Sequence, residues 1–144
     1  MQVYKYKFKS CHFDRFRICI IICITQCLFS DCRSKESVVV NIGKCRCLTI
    51  SHACCSRAYS KKEGAPFLYS KWGDNDFSIV LYNTVVDSSS DSSYSYALYP
   101  HNGNQYYRYN NVTNCNCGGF QFDAVKCFSF AMNIITNCQQ ACLK

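Results

Sequence analysis

Cysteine is the residue whose number and spacing first suggest chemistry: the 144-residue chain holds 14. They fall in tight groups. Cys45-Arg-Cys47 is followed by Cys54-Cys55, later by Cys115-Asn-Cys117, and Cys127, Cys138 and Cys142 lie towards the end. Thiols grouped in this way bind metal or pair as disulfides. Zinc sites favour Cys-x-x-Cys spacings, and cysteine at close to a tenth of all residues is the density of a disulfide scaffold. The reading is therefore disulfides, with no metal and no cofactor.

His52 and His101 are the other candidates for chemistry. Together with a lysine they could serve acid–base hydrolysis of RNA, as in small secreted ribonucleases. His52 falls in a cysteine-rich stretch and His101 in a turn, so surface histidine is the competing reading. No Gly-x-Ser-x-Gly, His-Glu-x-x-His or phosphate-cradling glycine loop is present. The reading is a protein that is not an enzyme. Tyr94, Tyr96, Tyr99, Tyr106, Tyr107 and Tyr109 crowd one stretch. Tyrosine buries a large ring while its hydroxyl tolerates water, which suits a binding face. Tyr107 and Tyr109 are the candidates there, for a toxin- or cytokine-like ligand.

The N-terminus has the layout of a secretion signal. Lys5, Lys7, Lys9, Arg15 and Arg17 precede an apolar run, residues 18–29, and Ser30-Asp31 return to polar sequence. The run is shorter than the roughly 20 residues that span a bilayer, so no membrane association is expected after cleavage. With residues 1–30 removed, ten cysteines remain: Cys32, Cys45, Cys47, Cys54, Cys55, Cys115, Cys117, Cys127, Cys138 and Cys142. An even number suits a fully paired extracellular domain, although the count leaves the pairing open. Residues 31–144 carry 11 basic and 8 acidic side chains. That is too diffuse a charge for a nucleic-acid face. Asn111-Val112-Thr113 is an N-glycosylation acceptor, expected at a tip between strands.

The elements that must position these residues are short. Val38–Val40, Phe67–Trp72, Phe77–Val86, Tyr94–Leu98, Tyr107–Tyr109 and Phe120–Phe122 read as strands. Residues 44–62 read as irregular loop pinned by sulfurs, and residues 87–93 (DSSSDSS) as a mobile loop. Pro100–Asn104 contains Asn102-Gly103, a hairpin signal. Ala131, Ile134, Ile135, Cys138, Ala141 and Cys142 repeat at three and four residues. This predicts a C-terminal helix capped by Ser129. The expected fold is α+β: one small disulfide-rich domain over residues 31–144, a twisted antiparallel β-sheet with one C-terminal helix.

Tyr109-Asn110, then Cys117-Gly-Gly-Phe120-Gln-Phe122, then Cys127, Cys138 and Cys142 form a familiar series. Over residues 106–142 the chain resembles the Kunitz (BPTI-like) family, and the ten residues between Cys127 and Cys138 are similar to its divergent members from tick saliva. The resemblance implies a hairpin clamped by a helix through a Cys117–Cys138 bridge, and serine protease inhibition. Nine residues separate Cys117 from Cys127, more than the family usually has, Lys126 stands where a glycine is usual, and Cys115 is extra. Cys45 and Cys54 have the spacing of the family's first two cysteines. Cys55 and Ser56 fall where the family presents its reactive residue. Arg57 is the nearest residue that a trypsin-like target would prefer. The function expected is a secreted effector that contacts an extracellular protein, with a Kunitz-like serine protease inhibitor as its concrete form.

Overall fold

In the computed structural model every element is a strand. The structure describes residues 2–4, 7–9, 13–16, 19–34, 39–42, 45–61, 65–71, 73, 76–92 and 95–139, and no helix occurs among them. The strands follow one another in coils. β1 (Gln2–Tyr4), β2 (Lys7–Lys9) and β3 (Phe13–Phe16) are followed by β4 (Cys19–Thr25), β5 (Leu28–Ser30), β6 (Arg33–Ser34) and β7 (Val40–Ile42). The next coil is β8 (Cys45–Ser51), β9 (Cys54–Ser56), β10 (Tyr59–Ser60) and β11 (Leu68–Lys71). Then come β12 (Phe77–Leu81), β13 (Thr84–Val86), β14 (Ser89–Ser90) and β15 (Tyr96–His101). β16 (Asn104–Arg108), β17 (Asn111–Thr113) and β18 (Gly118–Phe120) precede the last coil, β19 (Cys127–Ala131) and β20 (Ile134–Thr136).

Each strand pairs in parallel with its counterpart one coil away. The first sheet is β1-β4-β8-β12-β16-β19, the second β2-β5-β9-β13-β17-β20, and the third β3-β7-β11-β15-β18. A short fourth sheet, β6-β10-β14, covers the corner between the second and third. The chain is thus a parallel β-solenoid. Its first-sheet register runs Ile24↔Ile50↔Val80↔Tyr107↔Phe130, coils of 26, 30, 27 and 23 residues.

The corners explain the geometry. Between the first and second sheets each coil turns on one left-handed residue: Gln26, His52, Tyr82, Tyr109 and Met132, with φ of 52–57°. At the far end of the second sheet it turns on Asp31, Arg57, Asp87, Asn114 and Asn137, with φ of 51–56°. A strand sends every second side chain inward, and the left-handed residue adds one position to that count. Inward residues therefore alternate two and three apart: Leu48, Ile50, Ala53, Cys55, Ala58 in one coil and Gln105, Tyr107, Asn110, Val112, Cys115 in a later one, all buried. The third sheet closes the core with Val40, Leu68, Leu98 and Phe120.

This fold corrects the α+β expectation. The three-residue step from Ile135 to Cys138 crosses a corner and is not a helical turn. Residues 127–131 and 134–136 are strands. The sheets are parallel, not antiparallel. Asn102 and Gly103 do adopt positive φ (62° and 71°), yet they carry the chain from β15 in the third sheet to β16 in the first. That is a corner, and no hairpin forms. Within residues 87–93, Ser88 and Ser90 are buried and Ser89–Ser90 form β14, so this stretch is part of the wall. Residues 45–60 are three strands, not irregular loop. The apolar run read as the core of a secretion signal supplies β4 and β5, with Ile22, Ile24 and Phe29 buried. Among the described residues no helix is long and apolar enough to cross a membrane.

Candidate functional site

A solenoid lines up equivalent positions of successive coils in columns about 4.8 Å apart. At the first corner the column is Gln26, His52, Tyr82, Tyr109, Met132. The His52 ring stacks on Tyr82 (centroids 5.1 Å apart, planes at 20°), and Tyr82 on Tyr109 (4.8 Å, 2°). Tyr82 and Tyr109 are 49% and 43% exposed and Met132 72%. Beside them on the outer face of the first sheet lie Tyr106 and Arg108, both exposed. The Arg108 guanidinium donates from Nε and Nη2 to Ser129 Oγ at 3.0 and 2.7 Å.

Inside the same corner Asn83 and Asn110, both buried, and Asn133, half-buried, form a ladder. Asn83 Nδ2 donates to Asn110 Oδ1, and Asn110 Nδ2 to Asn133 Oδ1, each at 2.9 Å. Backbone N–H groups that the corner frees are taken up as well: Ala53 N donates to Asn83 Oδ1, and Asn110 N to Asn133 Oδ1. The ladder fixes the corner from within, and the aromatic column covers it from without.

The second corner is charged. Arg57 forms a two-point contact with Asp31, Nε–Oδ1 2.6 Å and Nη2–Oδ2 2.8 Å, which raises the guanidinium's already high pKa. A groove of about 330 Å³ there is lined by Asp31, Arg33, Arg57, Tyr59, Asp87 and Ser89. The Tyr59 hydroxyl donates to Asp91 Oδ2, which raises its pKa.

The residues singled out from sequence scatter over this frame. Arg57 sits on left-handed backbone and engages Asp31; an extended segment is what adds to another protein's strand edge. Tyr107 is fully buried, its hydroxyl 3.3 Å from Ser78 Oγ, and burial raises its pKa. Tyr109 is on the exposed column. His52 and His101 stand at opposite ends of the first sheet, whose five-residue strands span about 16 Å. His101 Nε2 lies 3.0 Å from Asp123 Oδ2 instead. No catalytic pair is brought together. Asn111 lies outward as the first residue of β17, just past the corner at Tyr109, accepting from Thr113 Oγ1 at 2.6 Å.

Cys32 and Cys55 are buried, and Cys47 and Cys54 are half-buried on outer faces. Cys45 and Cys127 lie on β8 and β19, and Cys142 is outside the described residues. No described cysteine side chain forms a disulfide, and no group of three or more His, Cys, Asp or Glu among the described residues is placed to hold a metal. Among the described residues Cys115, Cys117 and Cys138 lie close enough to shift one another's pKa, and Cys55 is close enough to Cys32, Cys54 and Cys115 to feel them.

No family model, curated protein or solved structure matches the chain. The hairpin and helix implied by the Kunitz resemblance are not formed, so the site stands on its own geometry. Sequence reasoning missed an internal repeat that carries it. Tyr82-Asn-Thr-Val-Val-Asp87, Tyr109-Asn-Asn-Val-Thr-Asn114 and Met132-Asn-Ile-Ile-Thr-Asn137 are one corner–strand–corner unit, at the coil spacing.

Proposed function

We propose that the protein is an extracellular, non-enzymatic effector that binds another protein along its first corner. One observation carries this reading. A left-handed residue other than Gly, Asn or Asp costs about 1–2 kcal/mol. The second corner mostly uses Asp and Asn, whereas the first uses Gln, His, Tyr, Tyr and Met. Stacking returns about 0.5–1.5 kcal/mol per aromatic pair, which roughly offsets that cost and does not account for large rings facing water. Tyr, Met and Arg are the types enriched at protein interfaces; here they are Tyr82, Tyr106, Arg108, Tyr109 and Met132. The cysteine density supports the extracellular setting.

The test exchanges tyrosine for the residue the backbone prefers. Tyr82→Asn/Tyr109→Asn should leave circular dichroism unchanged and the melting temperature nearly so. Affinity for the partner found on an array of extracellular protein domains should fall about thirtyfold or more, the size of a hot-spot loss. Undiminished binding by the double variant, with loss in Arg57→Ala, would move the contact to the second corner and end this reading.

A further inference from the structure

We infer that Cys115 and Cys138 are a thiol pair built to close into a disulfide that staples the last coil to the one before it, with a small disulfide such as oxidised glutathione as co-substrate. The register places them. Val112↔Ile135 and Thr113↔Thr136 pair across β17 and β20, and the same step brings Cys115 beside Cys138. Hydrogen bonds hold that step as far as Asn137: Asn114 N to Thr136 O at 3.0 Å and Asn137 Nδ2 to Asn114 Oδ1 at 3.0 Å; past Cys138 the register slips, and Gln139 N donates to Cys117 O at 3.2 Å. Neighbouring parallel strands lie about 4.8 Å apart, inside the Cα range of about 4.4–6.8 Å that a disulfide needs.

The two thiols point alike. Cys115 Sγ approaches Thr113 O (3.4 Å) and Val85 O (3.9 Å). Cys138 Sγ approaches Thr136 O (3.4 Å) and Val112 O (3.7 Å), so it leans back towards the coil that holds Cys115. Both residues border an open cleft of about 460 Å³ with Asn114, Asn116, Asn137 and Gln139, Cys138 half-buried at its edge and Cys115 buried at 2% exposure behind it. Cys117 faces Ser88 O (4.0 Å) one coil back. The neighbouring Cys117 thiol lowers the Cys115 pKa, while that of Cys117 is raised by the same proximity and that of Cys138 by burial. Cys115 is the nucleophile.

The chemistry balances as thiol–disulfide exchange. The Cys115 thiolate attacks one sulfur of glutathione disulfide and expels glutathione thiolate, which takes up a proton. Cys138 then loses its proton and attacks Cys115 Sγ of the mixed disulfide, expelling the second glutathione. Two protein thiols are oxidised and one external disulfide is reduced to two thiols.

The test treats reduced, purified full-length protein with oxidised glutathione, alkylates it and maps peptides without reduction. A Cys115–Cys138 cross-link and the loss of two alkylatable thiols are expected. Cys138→Ser should trap glutathione on Cys115, Cys115→Ser should abolish both products, and Cys117→Ser should still give the cross-link, more slowly. A Cys117–Cys138 or Cys115–Cys117 link as the main product, or glutathione in the Cys138→Ser variant landing on another cysteine, overturns the assignment.

Discussion

Asn110→Leu is expected to destabilise the fold by about 3 kcal/mol, a drop in melting temperature on the order of 10 °C for a chain of this size. Leucine keeps the branched outline of asparagine but is bulkier, so overpacking adds to the loss. Asn110 Oδ1 accepts from Asn83 N (3.1 Å) and Asn83 Nδ2 (2.9 Å), and Asn110 Nδ2 donates to Val80 O (2.9 Å) and Asn133 Oδ1 (2.9 Å). Asn83 and Asn110 are 1% and 2% exposed. Water cannot replace the lost partners, and each buried group left unpaired costs about 1–3 kcal/mol. The control is Ala53→Ser, at the equivalent position two coils earlier. The column there already ends in Ala53, whose N–H is taken by Asn83 Oδ1, so the change should be much milder. Thermal denaturation of both variants decides the matter. A loss at Asn110 below about 1 kcal/mol would mean that the ladder does not hold the corner.

The ladder also marks the limit of what the residues disclosed. Alternation within Phe77–Leu81 and Tyr96–His101 is legible, because a strand shows its two faces at period two. Pairing direction is not, because parallel and antiparallel strands share that period. The run from Phe77 to Val86 reads as one strand, yet it bends at Tyr82. Nothing in a tyrosine announces left-handed backbone as glycine would. The same substitution of type hid the corners at Gln26, His52 and Met132, whereas Asp31, Asp87, Asn114 and Asn137 are the types that tolerate it.

The candidate site was half visible. Tyr107 and Tyr109 are both candidates from sequence, and of the two only Tyr109 faces solvent, Tyr107 being in the core. Alternation separates Tyr106 from Tyr107 but does not say which face is inward. That depends on the coil above, through Val80, and the coil below, through Phe130. His52 was weighed for acid–base work, and its ring stacks on a tyrosine. The cysteine groups suggested bridges, and the solenoid spreads most of them over separate walls, because neighbours in sequence point to opposite faces of a strand.

Gly118→Ala is expected to cost about 3 kcal/mol, the upper end for forcing extra volume into a packed core. A Cβ on Gly118 would stand 2.2 Å from Tyr96 Cδ1 and 2.5 Å from Cε1. Tyr96 is 3% exposed, and its strand pairs with that of Gly118 in register, so the ring has no room to retreat. Gly119 is confined in the same way by Ile135, 2.9 Å from its would-be Cβ. The Cys-Gly-Gly-Phe stretch, which resembled the start of a Kunitz second strand, is thus explained by close approach of two neighbouring side chains. The decisive measurement is a double-mutant cycle. Tyr96→Ala alone removes a buried ring and should cost about 3–5 kcal/mol. If the ring is what Gly118→Ala collides with, the double variant should be no less stable than Tyr96→Ala, a coupling of about 3 kcal/mol. Additive losses would show that the glycine is required for its backbone and not for the space it leaves. Gly73→Ala, which meets only the exposed end of the Asp76 side chain at 2.9 Å, should shift stability by less than about 1 kcal/mol.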